Sequence, residues 1–153
     1  MKTSEKGIDM IIAFEGMELA AYLCPAGVWT IGVGHTGPVR GEKVTKGMTI
    51  TKDMAMWLLE QDLANVESYL SNQPFATRLV QRQFDALVSF IFNVGKGAFE
   101  TSTMRKKLCM GAPDDEVALE FGRWIYGTVD GKKEVLPGLK RRREMECSRF
   151  LGR

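Results

Sequence analysis

Three glycines, Gly32, Gly34 and Gly37, close a segment that otherwise alternates like a strand, and they limit what can be built there. Glycine inside a strand either marks a bulge or lets another group approach the backbone closely. The segment is part of Phe14–Gly37, FEGMELAAYLCPAGVWTIGVGHTG. Its first half reads as a strand over Leu19–Leu23, its second as Val28–Ile31. The Cys-Pro-Ala-Gly stretch at 24–27 supplies the turn of an antiparallel hairpin. Before it, Ile8, Ile11 and Ile12 fall near helical spacing, Ser4 can cap the helix, and Gly16 offers a left-handed stop. A helix from about residue 5 to 14 or 15 therefore delivers Glu15 to the head of the hairpin. Cys24 follows nine residues later and Thr30 six after that. An acid facing polar side chains on a stiff hairpin suits bond hydrolysis by a protonating group, and it needs neither cofactor nor metal.

Past a short third strand expected at about 42–45, the remainder reads as helix. Thr51 caps a helix over about 52–72, with Met54, Leu58, Leu59, Leu63, Val66 and Leu70 on one side and Pro74 beyond its end. The segment 79–94 is apolar enough to be buried on most sides. Gly95 and Gly97 end it. Short helices are expected from Ser102 or Thr103 to Met110 and from Pro113 through Trp124. A loop at 127–133 then leads to Pro137, a favoured first-turn residue, and a basic helix ending near Leu151. The fold class is α+β and mostly α. Residues 1–153 make one domain, with a small β-hairpin lobe at about 12–58 and a larger helical lobe from 1–11 plus 59–153. The long helix joins the lobes, and a ligand cleft is expected between them.

Composition narrows the function classes. Hydrophobic residues at 44% and charged ones at 26% are ordinary for a globular protein. No apolar run approaches the ~20 residues that span a bilayer. Glu5, Asp9 and Glu15 interrupt any signal-like core near the N-terminus, so no secretory signal is expected. Three cysteines, none in a CxxC pair, argue against a disulfide framework or a zinc site. Residues 131–153 carry eight Lys/Arg against three Glu. A basic end of this kind suits an anionic partner or simply a solvated helix face.

Each candidate has two readings. Glu15 is a surface acid or, at a helix C-terminus with low solvation, an acid of raised pKa fit for proton donation. Thr30 is a strand former or a water-positioning hydroxyl, and Cys24 a small hydrophobe or a reactive thiol. His35, the only histidine, is read as a structural hydrogen-bonding residue rather than a catalyst. Asn93 either caps its helix or faces the cleft. The run Lys140–Arg143 is mostly a solvated face, from which one member reaches back to steady Glu15. Tyr22, Trp29 and Trp124 are read as core.

The stretch from Phe14 to Gly37 resembles the signature of the bacteriophage lysozymes, the endolysins of T-even and lambdoid phages in glycoside hydrolase family 24. There a Glu is followed nine residues later by Asp or Cys, and six later by Thr. The resemblance runs on through MTITKDMAMWLLEQDL, QRQFDALVSFIFNVGKGAF, STMRKKL, RWIYG and LPGLKRRREMEC, covering essentially the whole chain. It implies a muramidase cleaving the β-1,4 bond between N-acetylmuramic acid and N-acetylglucosamine. Carried over by position, Glu15 is the general acid, Thr30 places water, and Cys24 stands where many members have a second carboxylate. Gly32, Gly34 and Asn93 would meet substrate, with His35 and Arg142 structural near the site. The partner implied is peptidoglycan, with no nucleic acid and no stable membrane insertion. The protein would be a monomer held in the host cytoplasm until a separate holin-type protein releases it. A non-catalytic wall-binding module, a lytic transglycosylase and a membrane-perturbing basic helix are the competing readings.

Overall fold

The computed structural model describes residues 1–153. The chain divides into two compact units, one of residues 9–65 and one of residues 1–8 with 66–153. The elements begin with α1 (Glu5–Glu15), β1 (Glu18–Leu23), β2 (Trp29–Gly32) and α2 (Lys52–Ser71). A 3₁₀ turn (Ala76–Arg78) precedes α3 (Gln81–Val94), α4 (Lys96–Glu100), α5 (Thr103–Met110) and α6 (Asp114–Ala118). A second 3₁₀ turn (Leu119–Arg123), β3 (Tyr126–Val129), β4 (Lys132–Val135) and α7 (Pro137–Leu151) complete the chain. No helix is long and apolar enough to cross a membrane.

In residues 9–65, β1 and β2 pair antiparallel, Tyr22 opposite Thr30 and Leu23 opposite Trp29. The register slips between Glu18 and Tyr22, so the ladder is irregular on the side nearer α1. Gly27 closes the turn, its N–H donating to the Cys24 carbonyl at 2.8 Å with φ at +76°. The expected third strand does not form. Val39 and Glu42 instead exchange backbone hydrogen bonds at 2.8 and 3.0 Å around Arg40 and Gly41, both left-handed. Of the expected segment only Glu42 gains a bridge partner, so no ladder extends to Thr45. Ile31, Val39, Val44 and Leu58 form the core here, covered by Trp29, Met48, Ile50 and Met54.

The helical unit is packed around aromatic rings. Phe90, on α3, meets Phe99 at 6.4 Å, Phe121 at 5.4 Å and Trp124 at 5.5 Å between centroids, all edge-to-face. Phe121 in turn meets Phe150 of α7 at 5.8 Å. These rings explain why the 79–94 segment is so apolar: residues 83 to 91 of α3 are all buried. Ser102 caps α5, accepting from the Arg105 N–H at 3.1 Å, and Gly111 ends it in the left-handed region.

Three expectations change in this unit. The segment expected as a loop at 127–133 forms the β3–β4 hairpin, with Tyr126 opposite Val135. Its turn residues Asp130 and Gly131 both have positive φ, the geometry of a two-residue hairpin turn. Gly97 lies within a one-turn helix, α4, rather than in a loop. The helix expected through Trp124 stops at Ala118 and tightens into the 3₁₀ turn.

The N-terminal residues are tied down by buried carboxylates. Asp85, fully buried, accepts from the Ser4 N–H at 2.9 Å, the Ser4 hydroxyl at 2.6 Å and the Gln81 amide, and pairs with Arg149. Glu67 accepts from the Thr3 N–H at 2.8 Å and its hydroxyl at 2.7 Å, and pairs with Lys2. Burial pushes both carboxyls up. The Ser4, Arg149 and Gln81 donors on Asp85, and the Lys2 and Thr3 donors on Glu67, outweigh it and hold each below its ordinary value.

Candidate functional site

α1 ends at Glu15 because Gly16 turns left-handed, φ +72°, while its N–H still bonds the Ile12 carbonyl at 2.8 Å. Glu15 is partly buried. Its neighbour is the third residue of the Gly-Val-Gly run. A Cβ on Gly34 would stand 3.4 Å from Glu15 Oε2, and the residue has φ +67°. The left-handed backbone is what requires glycine at 34; a Cβ there would meet the carboxylate at ordinary contact distance. Gly32 is glycine for the same reason. It too is left-handed, at +66°, and the space for its Cβ borders Ile50 and Ala55 at 3.5–3.6 Å.

Cys24 and Thr30 sit at the far end of the same hairpin. Thr30 is buried, and its hydroxyl donates to the Val28 carbonyl at 3.0 Å. Cys24 is partly exposed at the start of the turn. The Val28 backbone N–H is the chief influence pulling its thiol below the ordinary value. Slight desolvation pushes the other way, while the Ala26 N–H and the Thr30 hydroxyl add to the lowering. A turn that aims backbone donors at one sulfur thus favours the anion there. Cys147, on α7, is the opposite case: burial raises its thiol.

Tyr22, read from sequence as core, is only partly buried. Desolvation, then the charges of Glu18, Glu15 and Cys24, raise its hydroxyl's pKa. That order places Tyr22 in the same electrostatic neighbourhood as Glu15 and Cys24. Its pairing opposite Thr30 could have suggested as much. His35 is buried, with Nδ1 2.7 Å from Asp62 Oδ2 and Nε2 3.3 Å from the Pro38 carbonyl. It fastens the loop after the glycines to α2. Asp62 carries no sequence signal of its own, being 27 residues away.

In the helical unit, Asn93 stands exposed near the end of α3, before Gly95. Its Oδ1 accepts a hydrogen bond from Arg143 Nη2. Arg142 and Arg143 depart from the expectation of a solvated basic face: they are 5% and 1% exposed. Arg142 bonds Glu146 at 3.1 Å and the Ser89 carbonyl at 3.0 Å. Arg143 bonds Glu146, the Trp124 carbonyl at 3.2 Å and Asn93, with its guanidinium 4.9 Å above the Phe90 ring. Glu146 is wholly buried. Desolvation raises its carboxyl against the opposing influence of Arg143, Ser89 and Arg142. Arg141, by contrast, is exposed. Polarity in the sequence marks this run as surface, but the carboxylate at 146, three and four residues on, makes burial affordable.

The phage lysozyme family pattern matches residues 12–146. An endolysin of Acyrthosiphon pisum secondary endosymbiont phage 1 is 42% identical over 150 residues, covering 98% of each chain. The endolysin of Salmonella phage P22 is 46% identical over 108 residues, 71% of this chain and 73% of that one. Among solved structures, an endolysin from Escherichia coli O157:H7 phage FAHEc1 superposes with a TM-score of 0.88 at 38% identity, covering 99% of this chain and 94% of that one. The chain belongs to the phage lysozyme family, and as such it is a peptidoglycan-hydrolysing glycosidase.

Proposed function

We propose that this chain is a muramidase cleaving the β-1,4 bond between N-acetylmuramic acid and N-acetylglucosamine, acting in host cell lysis at the end of phage infection. The observation that carries the residue assignments is the position of Glu15 against the Gly34 backbone. It heads the hairpin that holds Cys24 and Thr30 at the family spacing. Glu15 protonates the glycosidic oxygen as the sugar gains oxocarbenium character. Thr30, buried and bonded to Val28, offers a fixed hydroxyl to the attacking water. Cys24 faces the developing cation, and the backbone donors around it favour a thiolate able to stabilise that charge. Asn93 and the backbone at Gly32 and Gly34 meet the glycan, while His35 and Arg142 hold the local structure around them. The protein works as a monomer, waits in the host cytoplasm and reaches the wall through a separate holin-type protein.

The test is clearance of outer-membrane-permeabilised Gram-negative cells by the wild type, Glu15→Gln and Cys24→Ser. Removing the general acid should cost roughly 10²–10⁴-fold in rate, the usual worth of such a group. Lysis that survives in Glu15→Gln would overturn the assignment. Loss in Cys24→Ser makes the thiol a chemical participant; retention makes it dispensable. One specific observation, a thiol where many members have a carboxylate, favours a second reading as a wall-binding module without chemistry. Wild-type protein that binds walls but clears no cells would establish it. Anhydro rather than hydrolysed product ends would instead assign a lytic transglycosylase.

A further inference from the structure

Asn93 is exposed, yet its carbonyl oxygen is held by a guanidinium that is 1% exposed. That combination decides which way the amide faces. A guanidinium has donors and no acceptor, so only Oδ1 can turn toward Arg143, and the NH₂ group must point elsewhere. Arg143 cannot swing away, because its remaining edges are committed. Nε donates to the Trp124 carbonyl at 3.2 Å, Nη1 to Glu146, and the plane lies over the Phe90 ring. A free surface asparagine samples several rotamers and both amide orientations. This one is fixed from beneath, with two N–H donors left for a ligand or water.

We infer that Arg143 is a positioning residue for substrate recognition: it locks Asn93 so that Nδ2 donates outward to the acetamido carbonyl of an N-acetylated sugar. The inference rests on the reading of Asn93 as substrate-binding. An outward donor selects an acceptor, and an amide carbonyl is a better acceptor than the sugar hydroxyls beside it. The residue thus favours N-acetylated over de-N-acetylated glycan. Arg143 need not touch the sugar, because its contribution is the orientation of the group that does.

The experiment measures calorimetric binding of chitotetraose and of its fully de-N-acetylated counterpart, in a Glu15→Gln background that prevents turnover. Asn93→Ala should weaken chitotetraose binding roughly two- to tenfold, the worth of one hydrogen bond, and leave the de-N-acetylated probe unchanged. Arg143→Lys keeps a cation beside Glu146 but loses the fork, and should weaken chitotetraose by a similar factor. In the double variant the losses should not multiply, because the two residues act as one unit. Asn93→Asp separates orientation from folding: a carboxylate facing Arg143 keeps or raises stability, yet it removes the outward donor and should bind as poorly as Asn93→Ala. In ¹⁵N spectra the Asn93 amide pair should change in Arg143→Lys while the α3 backbone signals stay. Multiplicative losses, or Asn93→Asp binding like the parent, would overturn the inference alone. Failure of the Glu15→Gln parent to bind chitotetraose would overturn the substrate reading and the inference with it.

Discussion

Residues 9–65 are organised around four aliphatic side chains and six left-handed glycines, whereas the helical unit is packed on phenylalanine rings and buried ion pairs. The only buried polar residues in the first are Thr30 and His35; the second buries Glu67, Asp85, Glu120, Arg142, Arg143 and Glu146. The proposed reactive groups Glu15, Cys24 and Thr30 all belong to the region whose core buries no aromatic ring. Their placement depends on where the backbone turns, at Gly16, Gly27, Gly32 and Gly34, more than on the bulk packed beneath them. The helical unit gains rigidity from burial and spends some of it on charges that need several partners each. Substitutions should therefore divide: those in the helical core act on stability, those at the turns act on chemistry.

The sharpest test is Phe121→Ala, which removes the buried ring that Phe90 and Phe150 both meet. It should cost about 3–5 kcal/mol, read as a lower denaturant midpoint, with residual specific activity per folded molecule near wild type. Should a folded Phe121→Ala protein lose its specific activity, the division between the regions fails. Next in size is Gly34→Ala. Adopting φ +67° with a Cβ should cost about 1–2 kcal/mol. Relaxing that strain shifts the backbone against which Glu15 Oε2 lies, so the lytic rate should fall beyond what the stability loss explains. Unchanged kcat in this variant would mean the carboxylate tolerates displacement.

The smallest expected effect concerns pH. Asp85 and Glu67 are held below their ordinary values in the fold, so each contributes stability that is present above the ordinary carboxylate range and lost as pH falls through the folded value. Glu146, raised by burial, works the other way: its contribution is present at acid pH and is lost as pH rises through its folded value. Urea unfolding across pH 3–7 should therefore show stability falling toward acid, with a shallower slope in Asp85→Asn and a steeper one in Glu146→Gln. Equal slopes in all three proteins would show that these carboxyls do not set the acid limit.

What the sequence disclosed and what it withheld follow from range. Helices α1, α2 and α3 show in the placing of apolar residues because their burial is local, whereas α7 shows only through Pro137 at its start. The hairpin of β1 and β2 shows because alternation and a Cys-Pro-Ala-Gly turn occur together. The β3–β4 hairpin does not show in the sequence, although Asp130-Gly131 is a strong turn signal. Its strands are almost wholly exposed and so carry no apolar alternation. Glu15, Cys24 and Thr30 could be singled out by spacing within one supersecondary unit. The burial of Arg142 and Arg143 could not, because it depends on Ser89, Asn93 and Trp124, up to 53 residues distant. For the same reason the sequence marks His35 but gives no hint of Asp62.

The contrast between the turn-held thiol of Cys24 and the buried one of Cys147 bears on covalent pharmacology. An electrophile reacts with the thiolate, so near neutral pH the first is the faster target and the second is protected by its own protonation. A mild haloacetamide should therefore mark the hairpin before the helix, with the order of modification visible by peptide mass analysis. A single sulfur on the hairpin turn thereby becomes a point of chemical selectivity within this chain.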